Sequence, residues 1–108
     1  MTTFERSGSV LDQPDARLID YPSVADAARS DLELDANEPV LILSDKGRLY
    51  ELNLVAAVLW EALAHKATAP ELTALVTDVF DIDEAAARHD VMECLTDMRH
   101  NSLVTGHD

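Results

Sequence analysis

The chain has 108 residues, enough for one domain that would bury about two-thirds of the surface of its unfolded form. Its hydrophobic content of 47% argues against wholesale disorder. Its 21 acidic residues face only 8 Lys and Arg residues, and the formal net charge of −13 would repel nucleic-acid phosphates and anionic lipid, so neither nucleic acid nor a membrane is an expected partner.

The N-terminal segment, residues 1–30, predicts an arm that is only partly ordered. Ser, Gly, Asp and Pro are scattered through its first two-thirds, and only short apolar groups interrupt them. Residues 16–20 favour a short strand. Ser23 can cap a brief helix over residues 24–30.

Three antiparallel strands are predicted to open the folded domain. They are residues 32–34, residues 40–43 and Arg48–Leu52. The last two are joined by a turn in which Gly47 can take a positive φ. Because side chains alternate along a strand, Tyr50 and Leu52 are expected to face the helices that follow.

Helices are predicted over most of the remaining chain. The first runs from Leu54 to about Ala64 behind Asn53 as its N-cap and carries a wide apolar stripe. The second begins with a capping box, in which the Thr68 hydroxyl accepts from the Glu71 N–H while the Glu71 side chain reaches back. Both helices therefore have defined starts.

A third helix is predicted to follow Asp81-Ile82-Asp83, and either aspartate can be its N-cap. We expect it to end at Asn101 in a left-handed conformation, after which Leu103 and Val104 fold back onto the core. Its apolar residues share one arc, which is expected to be buried. They are Ala87, Val91, Cys94, Leu95 and Met98.

Cysteine usage and apolar runs bear on the compartment. Cys94 is the only cysteine, so an internal disulfide is excluded and no oxidising compartment is required. Residues 1–10 lack the basic start and apolar run of a signal peptide, and no apolar run is long enough to span a bilayer. We therefore expect a cytoplasmic protein.

No catalytic or metal-binding constellation is visible in the sequence. His89, Glu93 and His100 project from the polar side of the third helix, and neither an HExxH nor a CxxC motif is present. Cys94 lies on the buried arc, where a cysteine is more often a small core residue than a nucleophile. Without a Gly-rich phosphate loop as well, the chain predicts no catalytic residue, no metal, no cofactor and hence no enzyme.

Beside the apolar arc, four residues of the third helix form a stripe with the spacing i, i+4, i+7 and i+11. They are Arg88, Met92, Leu95 and Arg99. The simpler interpretation is two surface arginines paired with acids such as Glu84 or Asp97, contacts that stabilise a protein little. The functional interpretation is a groove wall, in which Met packs adaptably and Arg binds carboxylates. Spacing alone favours the simpler interpretation.

Several short motifs match the pattern of a known family, individually weak but in the right order and spacing. They are Tyr50-Glu51-Leu52-Asn53, Leu59-Trp60, residues 68–72, Asp90-Val91 with Leu95, and Leu103. In this order the chain resembles the PqqD-like domain, also called the RiPP recognition element, of ribosomal peptide biosynthesis. It departs from the family at His65-Lys66, where Asp-Gly is frequent, and at Asn101-Ser102, where Gly usually precedes the final Leu.

The resemblance implies an α+β, winged-helix-like fold in which a three-stranded antiparallel β-ribbon is followed by three helices. Residues 31–105 would form the peptide-binding domain, and residues 1–30 a flexible arm. It implies a non-catalytic peptide chaperone that binds the leader of a precursor peptide by strand addition and presents it to a maturation enzyme, such as a radical-SAM protein or a leader peptidase. The implied peptide-binding residues are Arg48, Leu49, Tyr50, Glu51, Leu52, Arg88, Val91, Met92, Leu95 and Arg99.

Two alternative functions lack the residues that they need. A winged-helix DNA binder requires a cationic third helix, and this one carries more acids than bases. An acyl carrier protein requires Asp-Ser-Leu at a helix start, and Asn101-Ser102-Leu103 lies at a helix end. A generic protein-interaction subunit or antitoxin-like adaptor that uses the same groove stays open. Pairing of the chain's own N-terminal arm along Arg48–Leu52 would exclude leader binding.

Overall fold

In a computed structural model, residues 1–30, 34–35 and 37–108 of the chain are described. This described part is an α+β structure with four helices and two three-stranded antiparallel sheets. The strands are β1 (Thr3–Arg6), β2 (Leu11–Pro14), β3 (Leu41–Asp45), β4 (Arg48–Leu52), β5 (Ala67–Thr68) and β6 (Val104–His107). The helices are α1 (Val24–Arg29), α2 (Leu54–Ala62), α3 (Ala69–Phe80) and α4 (Glu84–His100).

The hairpin sheet, with the strand order β2-β3-β4, is built around the predicted hairpin. Lys46 and Gly47 form its two-residue turn with φ angles of 52° and 78°, and Asp45 is paired with Arg48 across it. Positive φ at both turn residues is the type I′ geometry, whose twist matches that of the flanking strands. The bounds of β4 are those predicted for the third strand.

The remaining strand of the hairpin sheet differs from the prediction. β2, from the N-terminal arm, pairs with β3 from Leu11 opposite Ser44 to Pro14 opposite Leu41. The strand predicted at residues 32–34 lies outside the described residues, except for Leu34, which is not in a strand. All four residues of β2 are exposed, so the strand lacks the alternation that would have revealed it.

The order of elements is therefore more complex than three strands followed by three helices. α1 lies between β2 and β3, and β5 and β6 are added around α3 and α4. The α+β class is confirmed. The winged-helix-like description stays a prediction.

A terminal sheet, with the order β5-β1-β6, joins the two ends of the chain. Phe4 in the central strand is buried and lies opposite Ala67 on one side and Gly106 on the other. A Cβ at Gly106 would lie 3.4 Å from the Phe4 ring and 3.3 Å from the guanidinium carbon of Arg99, so the position has little room for a side chain. The sheet was not predicted because its strands are short and distant in sequence.

The N-terminal segment is part of the folded structure, in contrast to the flexible arm that was expected. Phe4, Leu18 and Ala27 belong to the same buried cluster as the helices. Both of its strands are paired, because β1 lies between β5 and β6 and β2 lies against β3. A division of the chain between residues 30 and 31 stays a prediction.

Local elements of this segment were predicted with mixed success. Residues 16–20 form no strand; Ala16–Leu18 is a 3-10 turn instead. The predicted helix is present as α1, with Ser23 as its N-cap. The Glu61 carboxylate of α2 also accepts from the Val24 N–H at 2.7 Å, so α1 is held against α2 at its N-terminus.

The predicted caps of the later helices are largely confirmed. The Thr68 N–H donates to Glu71 Oε1 at 2.9 Å, and the Glu71 N–H donates to Thr68 Oγ1 at 3.3 Å. Asp83 caps α4 through the Ala86 N–H, whereas Asp81 ends α3 in a left-handed conformation with a φ of 51°. Of the two aspartates that the sequence offered as the N-cap of α4, Asp83 therefore fills that role and Asp81 ends α3.

The end of α4 differs from the prediction by one residue. Asn101 has a φ of −91°, and the left-handed residue is Ser102, with a φ of 60°. The Leu103 N–H donates to the Met98 carbonyl at 2.9 Å, and Leu103 and Val104 are both buried, which confirms that the chain folds back onto the core.

Candidate functional site

β4 is an edge strand of the hairpin sheet, because no other described strand pairs with it on the side opposite β3. In a two-residue type I′ hairpin the pair that closes the turn, here Asp45 and Arg48, is hydrogen-bonded. Along the ladder, hydrogen-bonded pairs then alternate with pairs whose backbone groups point outward. The backbone N–H and C=O groups of Leu49 and Glu51 therefore point away from β3. Such a row of outward groups is a template for another strand.

The chain's own N-terminal arm is held at the other edge of β3. Trp60 of α2 is buried, and its indole N–H donates to Asp12 Oδ2 in β2 at 2.9 Å. Arg6 Nε donates to the Trp60 carbonyl at 2.7 Å, and its guanidinium carbon lies 4.6 Å from the centroid of the indole ring. In the described part of the chain, the arm thus leaves the edge of β4 open.

An open groove of about 790 Å³ lies between β4 and α4. On the strand side it is lined by Asn37, Pro39, Leu49, Tyr50, Glu51, Leu52, Asn53, Val55 and Ala56. On the helix side it is lined by Asp90, Glu93, Cys94, Asp97, Met98, Asn101 and Leu103. The exposed backbone edge of β4 and the groove are therefore parts of one surface, and Leu49 at this surface is 73% exposed.

The groove combines an apolar floor with an acidic helix wall. Leu52 and Met98 are buried in it, and Tyr50 and Cys94 are half-buried. Among the described residues that line the groove, four are acidic and none is Lys or Arg. The acidic residues are Glu51, Asp90, Glu93 and Asp97.

Cys94 lies at the boundary between the floor and the acidic wall. Burial, and to a lesser extent the nearby carboxylates of Asp97 and Glu93, together raise the pKa of its thiol to about 12. The thiol is therefore neutral at physiological pH. It adds apolar surface to the groove and is a poor nucleophile there.

The strand half of the predicted site is brought together by the structure. Leu49, Tyr50, Glu51 and Leu52 all line the groove, with Tyr50 and Leu52 on the more buried face, as alternation predicted. Arg48 is exposed at the hairpin end and is not among the lining residues.

The helix half of the predicted site lies elsewhere. Val91 and Leu95 are buried in the core beneath the groove. Arg88 and Met92 line a separate cavity of about 550 Å³ between α3 and α4, and Arg88 pairs with Glu84 at 2.6 Å. Arg99 lies near β6 in a third cavity, with its guanidinium carbon 5.8 Å from the centroid of the Phe4 ring.

Helical geometry explains this difference. At 100° per residue, Arg88, Met92 and Arg99 flank the buried arc of α4 on one side, and Asp90, Cys94 and Asp97 flank it on the other. Periodicity identifies both flanks but does not indicate which of them packs beside β4. The signal for the second flank was visible in the sequence as Asp90, Cys94 and Asp97 at the spacing i, i+4 and i+7.

The described residues offer neither a metal site nor a membrane-spanning helix. Among residues 1–30, 34–35 and 37–108, no group of three or more His, Cys, Asp or Glu side chains is arranged to hold a metal ion. Over the same residues, no helix combines the length and apolar character needed to cross a bilayer.

Comparison with known proteins identifies one family. Residues 38–104 match the family model described as PqqD, coenzyme PQQ synthesis protein D. The matched span begins just before β3 and ends at the first residue of β6, so it contains β4, α4 and every described groove residue except Asn37. No curated protein and no solved structure matches the chain.

Proposed function

Because this chain belongs to the PqqD family, we propose that it is a non-catalytic peptide chaperone that binds the leader of a ribosomally synthesised precursor by β-strand addition. Members of this family are accessory binding proteins rather than catalysts, and membership implies a role in the biosynthesis of PQQ or of other ribosomally derived products. The single observation that supports strand addition is the outward-facing backbone of β4 beside an open groove.

In the proposed complex, the leader runs antiparallel to β4 and pairs with the backbone of Leu49 and Glu51. Main-chain hydrogen bonds supply affinity, while alternate leader side chains enter the groove and supply specificity. There they contact Tyr50 from the strand and Cys94 and Met98 from the helix. Val91 and Leu95 support this helix face from the core without contacting the leader.

The bound leader is then presented to a separate maturation enzyme, such as a radical-SAM protein or a leader peptidase. The Cys94 thiol in the groove is neutral at physiological pH and therefore a poor nucleophile, which fits a site that holds a peptide without reacting with it. A cytoplasmic location for the complex stays a prediction from the sequence.

Backbone methylation of the peptide tests strand addition directly. Candidate leaders are those of short precursor peptides whose genes lie beside the gene for this chain. Each would be labelled with a fluorophore and synthesised with one backbone nitrogen methylated at a time, and Kd would be measured by fluorescence polarisation. Methylation at alternate leader residues should weaken binding about fivefold to tenfold, because each removes one main-chain hydrogen bond. Methylation at the residues between them should change Kd less than about twofold.

Variants of the protein provide the matching test. Leu49→Pro removes an outward N–H and should weaken binding about tenfold, whereas Leu49→Ala keeps that N–H and should cost about threefold. Arg88→Glu and Met92→Glu, in the cavity between α3 and α4, should leave Kd unchanged. Strand addition would be rejected if Leu49→Pro and Leu49→Ala changed Kd equally and if the effect of methylation did not alternate along the peptide. That result would favour a generic adaptor.

A further inference from the structure

The charged residues that line the groove between β4 and α4 in the described part of the chain are all acidic. Glu51 at the strand edge and Asp90, Glu93 and Asp97 on the helix line the groove, and the described lining residues include no Lys or Arg. Within the described residues, the only ion pair formed by these four carboxylates joins Glu93 to His89 at 3.4 Å, and it is charged only when the imidazole is protonated.

Most of the chain's arginines are engaged away from this groove. Their ion pairs are Arg6 with Asp12, Arg17 with Asp15 and Glu38, Arg29 with Asp78, and Arg88 with Glu84. Arg99 is on the opposite flank of α4, near Phe4. In the described part of the chain, the groove therefore keeps the negative charge of its walls.

From this distribution we infer that the leader segment bound by this chain is basic, with Lys or Arg at the alternate positions that face α4. The inference rests on the proposed strand addition and adds the chemical class of the guest. The acidic residues do not define the site by themselves, since the site is the open edge of β4. They determine which side chains are favoured beside it, because complementary charge selects partners and speeds association.

The spacing of the carboxylates fits this arrangement. Side chains on one face of a strand recur about every 6.8 Å. Asp90 and Asp97 are about 10.5 Å apart along the helix axis, since each residue rises about 1.5 Å. Two basic residues separated by one position can therefore each reach one carboxylate, because Lys and Arg have long, flexible stems that also cover apolar surface such as Cys94 and Met98.

Selection from random peptides tests the inference without a known precursor. Short random peptides displayed on phage would be selected against the full chain, and recovered peptides would be synthesised and mapped on ¹⁵N-labelled protein by NMR. We expect peptides with Lys or Arg at alternate positions that shift the amide signals of Leu49 and Glu51. Their affinity should fall about tenfold from low to physiological ionic strength.

A charge-matched pair of variants separates the groove from the overall acidity of the chain. The double variant Asp90→Asn with Asp97→Asn should bind the selected peptides about tenfold more weakly. The control, Asp20→Asn with Glu84→Gln, removes the same charge from exposed sites outside the groove and should change Kd less than about twofold.

The outcomes distinguish the two proposals. Selected peptides that perturb β4 but are not enriched in Lys or Arg would overturn the basic-leader inference and leave strand addition standing. Equal weakening by both double variants would also overturn it, since the attraction would then belong to the whole surface. Peptides that bind elsewhere, or the recovery of no binder, would count against strand addition as well.

Discussion

At Cys94, burial beside two carboxylates controls the chemistry of the only thiol in the chain. Its pKa is raised to about 12, first because the thiolate would lose hydration and second because Asp97 and Glu93 repel a further negative charge. A thiol in this state packs like a small apolar side chain. Cys94 therefore contributes apolar contact surface to the groove, and the negative charge of the groove comes from the carboxylates.

We predict that alkylation of Cys94 by iodoacetamide is slow and keeps rising with pH. Because only the thiolate reacts, and because the raised pKa delays its formation, the rate in the folded protein should increase tenfold per pH unit up to pH 10 without a plateau. The unfolded chain should instead reach a plateau above its ordinary thiol pKa of about 8.5. A plateau near that pH in the folded protein would contradict the proposed environment of Cys94.

At the scale of elements, β2 is held in place by long-range contacts rather than by its own sequence pattern. Its four residues are exposed, so little apolar burial favours the strand. Pairing with β3 and the hydrogen bond from the buried Trp60 indole to Asp12 hold it instead. In this position β2 covers one edge of the sheet, while the edge of β4, where we propose that the leader binds, is paired with no strand among the described residues.

We predict that Asp12→Ala lowers the free energy of unfolding by about 1 to 2 kcal/mol, because the indole N–H of buried Trp60 loses its acceptor. The measurement is urea unfolding followed by the fluorescence of Trp60, the only tryptophan of the chain. Asp20→Ala, at an exposed position, serves as the control and should change stability by less than about 0.5 kcal/mol. A loss no larger than the control's would show that this hydrogen bond does not anchor β2.

α4 shows how much of a site periodicity can predict. The buried arc was predicted residue by residue, and Ala87, Val91, Leu95 and Met98 are buried, with Cys94 at its margin. The flank that lines the groove was not predicted, because both flanks border the same buried arc and periodicity does not indicate which of them packs beside β4. The prediction placed Arg88, Met92 and Arg99 beside β4, where packing places Asp90, Cys94 and Asp97.

At the scale of the whole molecule, the net charge of −13 is a source of self-repulsion that compactness increases. The described ion pairs are mostly at exposed positions, where each contributes little to stability. The groove brings several carboxylates close together, which increases this repulsion. Among the described residues, none of these carboxylates forms an ion pair with Lys or Arg. Screening should therefore stabilise the folded chain.

We predict that raising the salt concentration at pH 7 increases the melting temperature by about 4 to 8 °C, equivalent to about 1 kcal/mol for a domain of this size. The measurement is thermal unfolding by circular dichroism from low to high NaCl. The same salt series near the isoelectric point of about 4.4 is the control and should give little change, since the net charge is then close to zero. A melting temperature that falls with salt at pH 7 would show that attractive pairs outweigh the repulsion.

Local chemistry was sufficient to predict the β3–β4 hairpin, the capping box at Thr68 and Glu71, and the buried arc of α4. Each depends on residues close in sequence, through turn dihedrals, cap hydrogen bonds and the helical repeat. Packing between distant segments decided the rest: the pairing of β2 with β3, the joining of the two chain ends in one sheet, and the acidic flank of α4 as the groove wall. Those features depend on which surfaces meet in the folded chain, and a local pattern does not contain that information.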